Sequence, residues 1–338
     1  MKDFIMGITT RRDFLKNTGI TAAALGLVAV TVKATGVIQG FEQIKTVSKN
    51  SRQKPLPKRQ LGKTGFNVSI IGLGGIVVMN QEDSQAGRIV SDAVEKGVNY
   101  FDVAPSYGNA ELKLGPALKP FRKDVYLACK TGQRTYSGAL DELKGSLKNL
   151  QTDYLDVYQL HGLVDVEKDV KTALGKDGAI KAFVEAKKNG IIRNIGFSAH
   201  TPAAAITAMK EFEFDTIMFP VNFSTHFDSN FEAEVLALAA QQHLGIIGIK
   251  AIARRKRQEK APKDSYQKCW YEPFDNPEIV ELALNFAFSQ NISLTIPPGE
   301  ESLFRLCLKF APYCGKLTKK QLKRLETIAS ADEPIFTV

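Results

Sequence analysis

The 338-residue chain has only four cysteines and one tryptophan. No two cysteines stand in a Cys-x-x-Cys spacing, so neither a zinc nor an iron–sulfur site is predicted, and no other metal site is indicated. So few cysteines also argue against a disulfide-rich scaffold. No apolar run reaches the roughly 20 residues that a membrane-spanning helix requires, so no stable membrane span is expected.

The chain carries an excess of positive charge, but its basic residues do not form a nucleic-acid-binding motif. The net charge is +9, while the composition, 44% hydrophobic and 24% charged, is ordinary for a globular protein. One basic run stands at positions 254–257. It lacks interleaved aromatic residues, so nucleic acid is not a predicted partner. Two interpretations of this basic run remain: it contacts a phosphate-bearing cofactor, or it is a solvated loop.

The amino terminus resembles a twin-arginine export signal. Arg11 and Arg12 are followed by Phe14, Leu15 and Lys16, then by an uncharged run over 19–32 and a small-residue site at 32–34. We therefore expect a signal peptide over residues 1–34, a linker over 35–57, recognition by the twin-arginine machinery and a periplasmic location. A short buried helix and an uncleaved anchor are the alternatives.

From residue 68 onward, short β-branched runs alternate with longer amphipathic patterns. Helix ends are marked by glycine, as at Gly97 and Gly190, and helix starts by proline, as at Pro202. The predicted strands cover residues 68–73, 98–102, 125–130, 154–161, 191–198, 216–220, 245–250 and 292–296. The predicted helices cover residues 84–96, 137–150, 179–189, 202–210, 230–243, 277–289 and 318–330.

Strict alternation of strands and helices predicts a parallel sheet covered by helices. Eight strands suit an α/β fold of the closed (β/α)8 TIM-barrel type, with residues 58–338 as its single domain. The alternative is an open doubly wound sheet with a G-x-G-x-x-G fingerprint after the first strand. Here that strand is followed by Gly74 and Gly75 but lacks the third glycine, which favours the barrel.

Four titratable residues follow successive predicted strands, where barrel enzymes carry their catalysts. Asp102 ends the second strand and Tyr107 lies just beyond it, Lys130 ends the third, and His161 ends the fourth. Singly, Asp102 is explained as a helix cap, Lys130 as a solvated cation and His161 as a core histidine. Their occurrence at three neighbouring strand ends instead predicts a catalytic site.

These side chains suit the reduction of a carbonyl group. Hydride delivery to the carbonyl carbon leaves an alkoxide that needs a proton, which the Tyr107 phenol can supply. The ordinary pKa of tyrosine is about 10, and a neighbouring Lys130 ammonium is expected to lower it. Asp102 would hold Lys130 in place, and His161 would donate a hydrogen bond to the substrate oxygen.

Several segments together resemble the aldo-keto reductase family over residues 58–330. The stretches 101–108, 130–132 and 159–161 are similar to its Asp, Tyr, Lys and His motifs, and 59–65 is similar to its amino-terminal hairpin. The resemblance implies an NAD(P)H-dependent oxidoreductase that acts on a small carbonyl or alcohol substrate and binds its nucleotide at the barrel rim. It favours NADP(H), with NAD(H) as the other possibility.

The cofactor region departs from the family pattern. Ala199 stands where the family commonly has Asn, Met218 where it often has Gln, and Ile249 near the usual aromatic residue. The basic pair that grips the 2′-phosphate is replaced by Pro298 and Gly299, with two glutamates next. Arginines at 254, 257 and 305 are candidates to restore phosphate contacts. The predicted cofactor contacts are Ser198, Asn222, Lys250, Arg254, Gly299 and Arg305.

Two other functions stay open at this point. A nucleotide-binding barrel with a regulatory role and little turnover would keep the same residues, and the altered nicotinamide contacts favour it. A lyase or isomerase would need a base beside the substrate carbon, and the sequence singles out none. The loop over 254–273, with aromatic residues at 266, 270 and 271, either covers the site or packs as ordinary structure.

Overall fold

The computed structural model describes residues 54–257 and 266–337. The predicted signal peptide of residues 1–34 and positions 35–53 of the predicted linker lie outside the described residues. The described part forms a (β/α)8 barrel, as the alternation of strands and helices predicts. Among the helices of these two ranges, none is both long enough and apolar enough to cross a membrane.

Eight parallel strands form the barrel in the order in which they occur along the chain. A parallel bridge between Ile71 and Thr295 joins the last strand to the first and closes the sheet, which rules out the open doubly wound alternative. The barrel strands are β3 (Leu73–Gly74), β4 (Tyr100–Asp102), β5 (Tyr126–Thr131), β6 (Leu155–Leu163), β7 (Ile192–Ala199), β8 (Thr216–Pro220), β9 (Gly245–Ile249) and β12 (Leu294–Ile296).

Two antiparallel hairpins lie outside the barrel sheet. The first joins β1 (Lys58–Gln60) to β2 (Asn67–Ser69), and the second joins β10 (Ala253–Lys256) to β11 (Tyr271–Pro273). Between β1 and β2, Leu61 is fully buried in the barrel interior, and the amide of Lys63 donates to the carbonyl of His243, just before β9. The first hairpin therefore closes the amino-terminal end of the barrel.

Helices cover the outside of the barrel. The α-helices of seven or more residues are α1 (Asp83–Glu95), α2 (Ala110–Leu118), α3 (Tyr136–Leu150), α4 (Ala179–Lys188), α5 (Pro202–Glu211), α6 (Phe223–Ser229), α7 (Ala233–Gln241), α8 (Pro277–Ser289), α9 (Glu301–Phe310) and α10 (Lys319–Ala329). A π-helix, Val166–Lys171, and a single helical turn, Thr172–Leu174, follow β6. Thr201 and Asn276 cap helices whose first residue is proline, and each side chain accepts a hydrogen bond from the first turn. Gly97 and Gly190 follow helices with φ of 92° and 74°, which glycine adopts at little cost.

Some predicted boundaries are wrong. The strand predicted over 68–73 is divided between β2, which pairs in the hairpin, and β3, which begins the barrel. The helix predicted over 230–243 is preceded by a separate helix, α6, and Asn230 stands between α6 and α7 in the left-handed conformation at φ 52°. Helices α2 and α9 were not predicted. All four cysteines are unpaired.

Candidate active site

The four residues predicted to be catalytic come together at the carboxyl end of the barrel. Asp102 is the last residue of β4, Lys130 lies in β5, His161 lies in β6, and Tyr107 belongs to the loop after β4. Asp102, Tyr107 and His161 line a cavity of about 210 Å³, which we call the rim cavity. Its other walls come from the ends of the first, fifth, sixth, seventh and eighth barrel strands and from residues 268–271.

A buried ion pair lies beneath the rim cavity. Lys130 is 0% exposed and Asp102 is 2% exposed, and the ammonium donates to the Asp102 carboxylate and, at 3.2 Å, to the Val103 carbonyl. The amide of Gln159 donates to the other carboxylate oxygen at 3.1 Å. Burial by itself lowers the pKa of Lys130, but the adjacent carboxylate reverses this, and the pKa is raised above its ordinary value. Lys130 is therefore a fixed cation.

Tyr107 lies over this cation. The Lys130 ammonium is 4.8 Å from the centroid of the Tyr107 ring. Burial, the largest influence, raises the pKa of Tyr107, while Lys130 acts in the opposite direction and lowers it. The lowering expected from Lys130 is present, but enclosure of the phenol outweighs it, so the pKa of Tyr107 is raised above its ordinary value. The phenol is therefore protonated at neutral pH and suited to act as an acid.

His161 faces Tyr107 across the cavity. The two rings meet edge to face, with centroids 5.6 Å apart. Burial and, next, the charge of Lys130 lower the pKa of His161 to about 3, so the imidazole is neutral at pH 7. Nδ1 lies 3.3 Å from the Ser106 hydroxyl. If Ser106 donates that hydrogen bond, the proton of the imidazole is left on Nε2, where it can be donated to a substrate oxygen.

Three of the predicted cofactor contacts line the rim cavity: Ser198, Lys250 and Gly299. The Ser198 hydroxyl accepts a hydrogen bond from the amide of Gly162 at 2.7 Å, which fixes its orientation. Helix α9 begins two residues after Gly299, and no side chain caps its first turn. Unpaired amides at a helix start bind phosphate well, so this side of the cavity fits a nucleotide.

The other three predicted contacts are not among the residues that line the cavity. Asn222 instead caps α6 and donates to the carbonyls of Lys250 at 2.7 Å and Ala253 at 2.8 Å, which positions the end of the seventh barrel strand. Arg254 pairs with Asp332 at 2.5 Å. Arg305 pairs with Glu301 at 2.7 Å and with Asp92 at 3.0 Å.

The loop after β9 covers part of the site. Trp270 and Tyr271 line the rim cavity, whereas the Tyr266 hydroxyl donates to Asp275 at 2.8 Å. The same loop is anchored across the barrel mouth by Lys268, whose ammonium donates to the Val77 carbonyl at 2.9 Å. The sequence left open whether this loop covers the site or packs as ordinary structure. Trp270 and Tyr271 cover the site.

A carboxyl-terminal segment, residues 332–336, packs behind side chains that line the cavity. Asp332 accepts hydrogen bonds from both Arg254 and Arg255 of β10. The Phe336 ring stacks on His200 with centroids 5.6 Å apart, and it contacts Trp270 edge to face at 6.0 Å. The segment therefore supports two cavity-lining side chains from behind.

Sequence reasoning missed several polar residues of the site, among them Gln159 and His200. Gln159 holds Asp102, and His200 lines the rim cavity. Strand periodicity offered a signal for both, because Gln159 precedes His161 by two residues and His200 follows Ser198 by two. Residues two apart on a strand lie on the same face.

Comparison with known proteins identifies the family. A sequence model described as the aldo/keto reductase family matches residues 70–328. The chain is 28% identical over 309 residues to the uncharacterised oxidoreductase YqkF of Bacillus subtilis, covering 81% of this chain and 97% of that protein. It is 32% identical over 157 residues to L-galactose dehydrogenase of Arabidopsis thaliana, covering 41% and 47%.

A solved structure shares the fold. The holo form of an aldo-keto reductase from Bacillus halodurans superimposes with a TM-score of 0.64 at 24% identity, covering 83% of this chain and 98% of that one. At this identity the likeness concerns the barrel and not the substrate.

Proposed function

The chain belongs to the aldo/keto reductase family, and from that premise we propose that it reduces an aldehyde or ketone by hydride transfer from NAD(P)H, with Tyr107 as the acid. The observation that carries this proposal is the buried Lys130 ammonium. It is held by Asp102 and lies 4.8 Å from the Tyr107 ring, in a site that His161 also faces. The same residues serve alcohol oxidation in reverse.

Each of the four side chains has a separate part in the proposed reaction. A bound reduced nicotinamide supplies the hydride. The neutral imidazole of His161 donates a hydrogen bond to the carbonyl oxygen and orients it. Tyr107 donates its proton to the same oxygen, and the Lys130 ammonium stabilises the phenolate that remains. Asp102 keeps that ammonium charged and in place.

The residues around the cavity also suggest how the nucleotide is held. In this proposal Ser198, which lines the cavity, would hydrogen-bond the nicotinamide carboxamide, and Gly299 with the uncapped first turn of α9 would receive phosphate oxygens. Of the arginines proposed for the 2′-phosphate, Arg254 and Arg305 already have carboxylate partners. Arg257 donates to the backbone carbonyls of Tyr266 and Cys269. A 2′-phosphate would therefore have to compete with those partners.

A second candidate function is nucleotide binding with little turnover. It is favoured by Met218 and Ile249, which line the cavity where the family more often has a polar and an aromatic residue. The loss of nicotinamide absorbance on addition of aldehydes distinguishes the two. Turnover with any member of an aldehyde panel supports the reductase, and binding of nucleotide without turnover supports the second candidate.

In that assay we expect both NADPH and NADH to serve, with weaker discrimination than is usual in the family. Pro298 and Gly299 stand in place of the basic pair, and Glu300 and Glu301 follow them. A charged hydrogen bond contributes about 1.5–3 kcal/mol, or roughly one to two orders of magnitude in affinity. Fluorescence titration of both nucleotides at fixed salt measures the preference. A preference for NADPH beyond about a thousandfold, near 4 kcal/mol, would contradict this electrostatic argument.

We also propose that the protein is exported by the twin-arginine route. The proposal rests on Arg11, Arg12 and the uncharged run that follows them in the sequence. Replacing both arginines with lysine is expected to retain the protein in the cytoplasm, because the route reads the arginine pair itself rather than its charge. Cell fractionation with immunodetection measures this. Continued export of the double variant would show that the pair is incidental.

A further inference from the structure

The rim cavity contains a cation that the catalytic scheme does not use. The Lys250 ammonium lies 5.2 Å from the centroid of the Trp270 ring and 4.7 Å from that of Tyr271. Among the described residues, no carboxylate and no hydrogen-bond acceptor is paired with it. Aromatic rings stabilise an ammonium only in part, so an enclosed cation of this kind favours an anionic ligand.

A second donor faces the same space. His200 lines the rim cavity, and its Nδ1 atom is buried without a hydrogen-bond partner in the described part of the chain. Burial and then the charge of Lys250 lower the pKa of His200 to about 4, so the ring is neutral at pH 7. A neutral imidazole can donate one hydrogen bond. The stack on Phe336 holds the ring in position.

The rest of the cavity wall carries little negative charge. Asp102 is the one acidic side chain among the residues described as lining it, and Asp102 is already paired with Lys130. Burial, the largest influence, lowers the pKa of Lys250 to about 8; Cys269 acts the other way, and the charge of Lys130 adds a smaller lowering. Lys250 is still mostly protonated at pH 7. Among the residues that line the cavity, the positive charges of Lys250 and Lys268 exceed the single negative charge of Asp102.

We propose that Lys250, assisted by His200, binds a carboxylate of the substrate, so that the enzyme acts on short carbonyl compounds that also carry an acid group. This inference rests on the proposed carbonyl reduction and narrows its substrate class. The anion lies between Lys250 and His200, and the carbonyl group of the same molecule lies against Tyr107 and His161. The substrate shares the volume of about 210 Å³ with the nicotinamide, which limits it to a short chain.

A phosphate of the nucleotide offers the same chemistry, and the sequence predicts Lys250 as a cofactor contact. The position of the ammonium favours the substrate. Lys250 lines the same cavity as His161 and His200. The nucleotide phosphates have another site in the uncapped first turn of α9.

Trp270 provides a direct measurement, since it is the one tryptophan of the chain and lies against Lys250. Trp270 emission is titrated with butyrate and with butyramide, a neutral analogue of similar size, at constant ionic strength. We expect a saturable response to butyrate and none to butyramide in the same concentration range. Lys250→Met should weaken butyrate binding by about tenfold to a hundredfold, as loss of a charged hydrogen bond predicts.

Lys256→Met is the matched control, because Lys256 is exposed on β10 of the same loop and does not line the cavity. It should bind butyrate as the wild type does. Calorimetric titration of the Lys250→Met variant with NADP⁺ decides whether Lys250 binds the carboxylate of the substrate or a phosphate of the nucleotide. An equal response to butyrate and butyramide would overturn the proposal, as would a Lys250→Met variant that loses nucleotide affinity but keeps butyrate binding.

Kinetics separate this inference from the proposed function. The ratio of kcat/KM for 4-oxobutanoate to that for butanal should favour the acid in the wild type and fall in Lys250→Met. If no member of the aldehyde panel is reduced, the proposed function fails, while the butyrate titration still decides the anion site. If the variant does not fold, the comparison of butyrate with butyramide on the wild type remains decisive.

Discussion

Replacing Tyr107 with phenylalanine is expected to lower carbonyl reduction by about 10²–10⁴-fold, the usual contribution of general acid catalysis. The change removes one hydroxyl and leaves the ring, which packs edge to face against His161. Nucleotide affinity should be nearly unchanged, because the deleted atom is a proton donor and not a phosphate contact. Steady-state kinetics and nucleotide titration on the same preparation measure the two quantities.

The control for this variant is Tyr136→Phe. The Tyr136 hydroxyl donates to Glu185 at 2.7 Å on the outer helices, and the residue does not line the rim cavity. Loss of that hydroxyl should leave turnover at the wild-type level. Wild-type turnover in Tyr107→Phe would instead remove the assignment of Tyr107 as the acid and leave His161 as the candidate donor.

Asp102→Ala is expected to lower the free energy of unfolding by about 3–5 kcal/mol, the range for removing one partner of a buried ion pair. The variant leaves the Lys130 ammonium, which is 0% exposed, without its carboxylate. Loss of the same carboxylate should also lower turnover, because Lys130 would no longer be fixed beneath Tyr107. Equilibrium unfolding in urea measures the stability.

Asp83→Ala provides the matched control. Asp83 also pairs with a lysine, Lys113 at 2.7 Å, but its side chain is 87% exposed. Surface ion pairs contribute about 0–1 kcal/mol, so this variant should differ little from the wild type. The double variant Asp102→Ala with Lys130→Met should regain part of the lost stability, since it removes the uncompensated charge. A single Asp102→Ala variant as stable as the control would contradict the argument.

The barrel could be predicted because its signals are local. Each strand and each helix has its own periodicity, and eight strands in alternation leave few topologies. The catalytic residues follow from the same pattern, since Asp102, Lys130 and His161 stand at the ends of three neighbouring strands. The predicted helix start at Asn230 is wrong because an asparagine in a left-handed turn resembles a helix cap in sequence.

The cofactor contacts are harder to predict because they depend on partners far along the chain. Arg254 suits a phosphate by charge, but Asp332, which is 78 residues away, accepts its hydrogen bond. Asn222 suits a ligand by residue type, but two nearby carbonyls and the first turn of α6 occupy its side chain. The periodicity of hydrophobic residues in a sequence does not indicate which distant side chains will form hydrogen bonds.

The direction of the Tyr107 pKa shift shows a related limit. The proximity of Lys130 follows from the strand order, so its influence on the phenol was predictable. The enclosure of the phenol is not, because it depends on how side chains and loops pack around the barrel mouth. In the structure this enclosure is the larger influence and raises the pKa.

The carboxyl-terminal segment has a consequence for how the protein is made. Ribosomes synthesise a chain from its amino to its carboxyl end, and residues 332–336 come after all eight barrel strands of the described part. The strands can therefore pair while the nascent chain still lacks Asp332 and Phe336. Until these residues emerge, His200 and Trp270 have no Phe336 to pack against. The packing that supports His200 and Trp270 at the rim cavity is thus completed after the barrel strands have been synthesised.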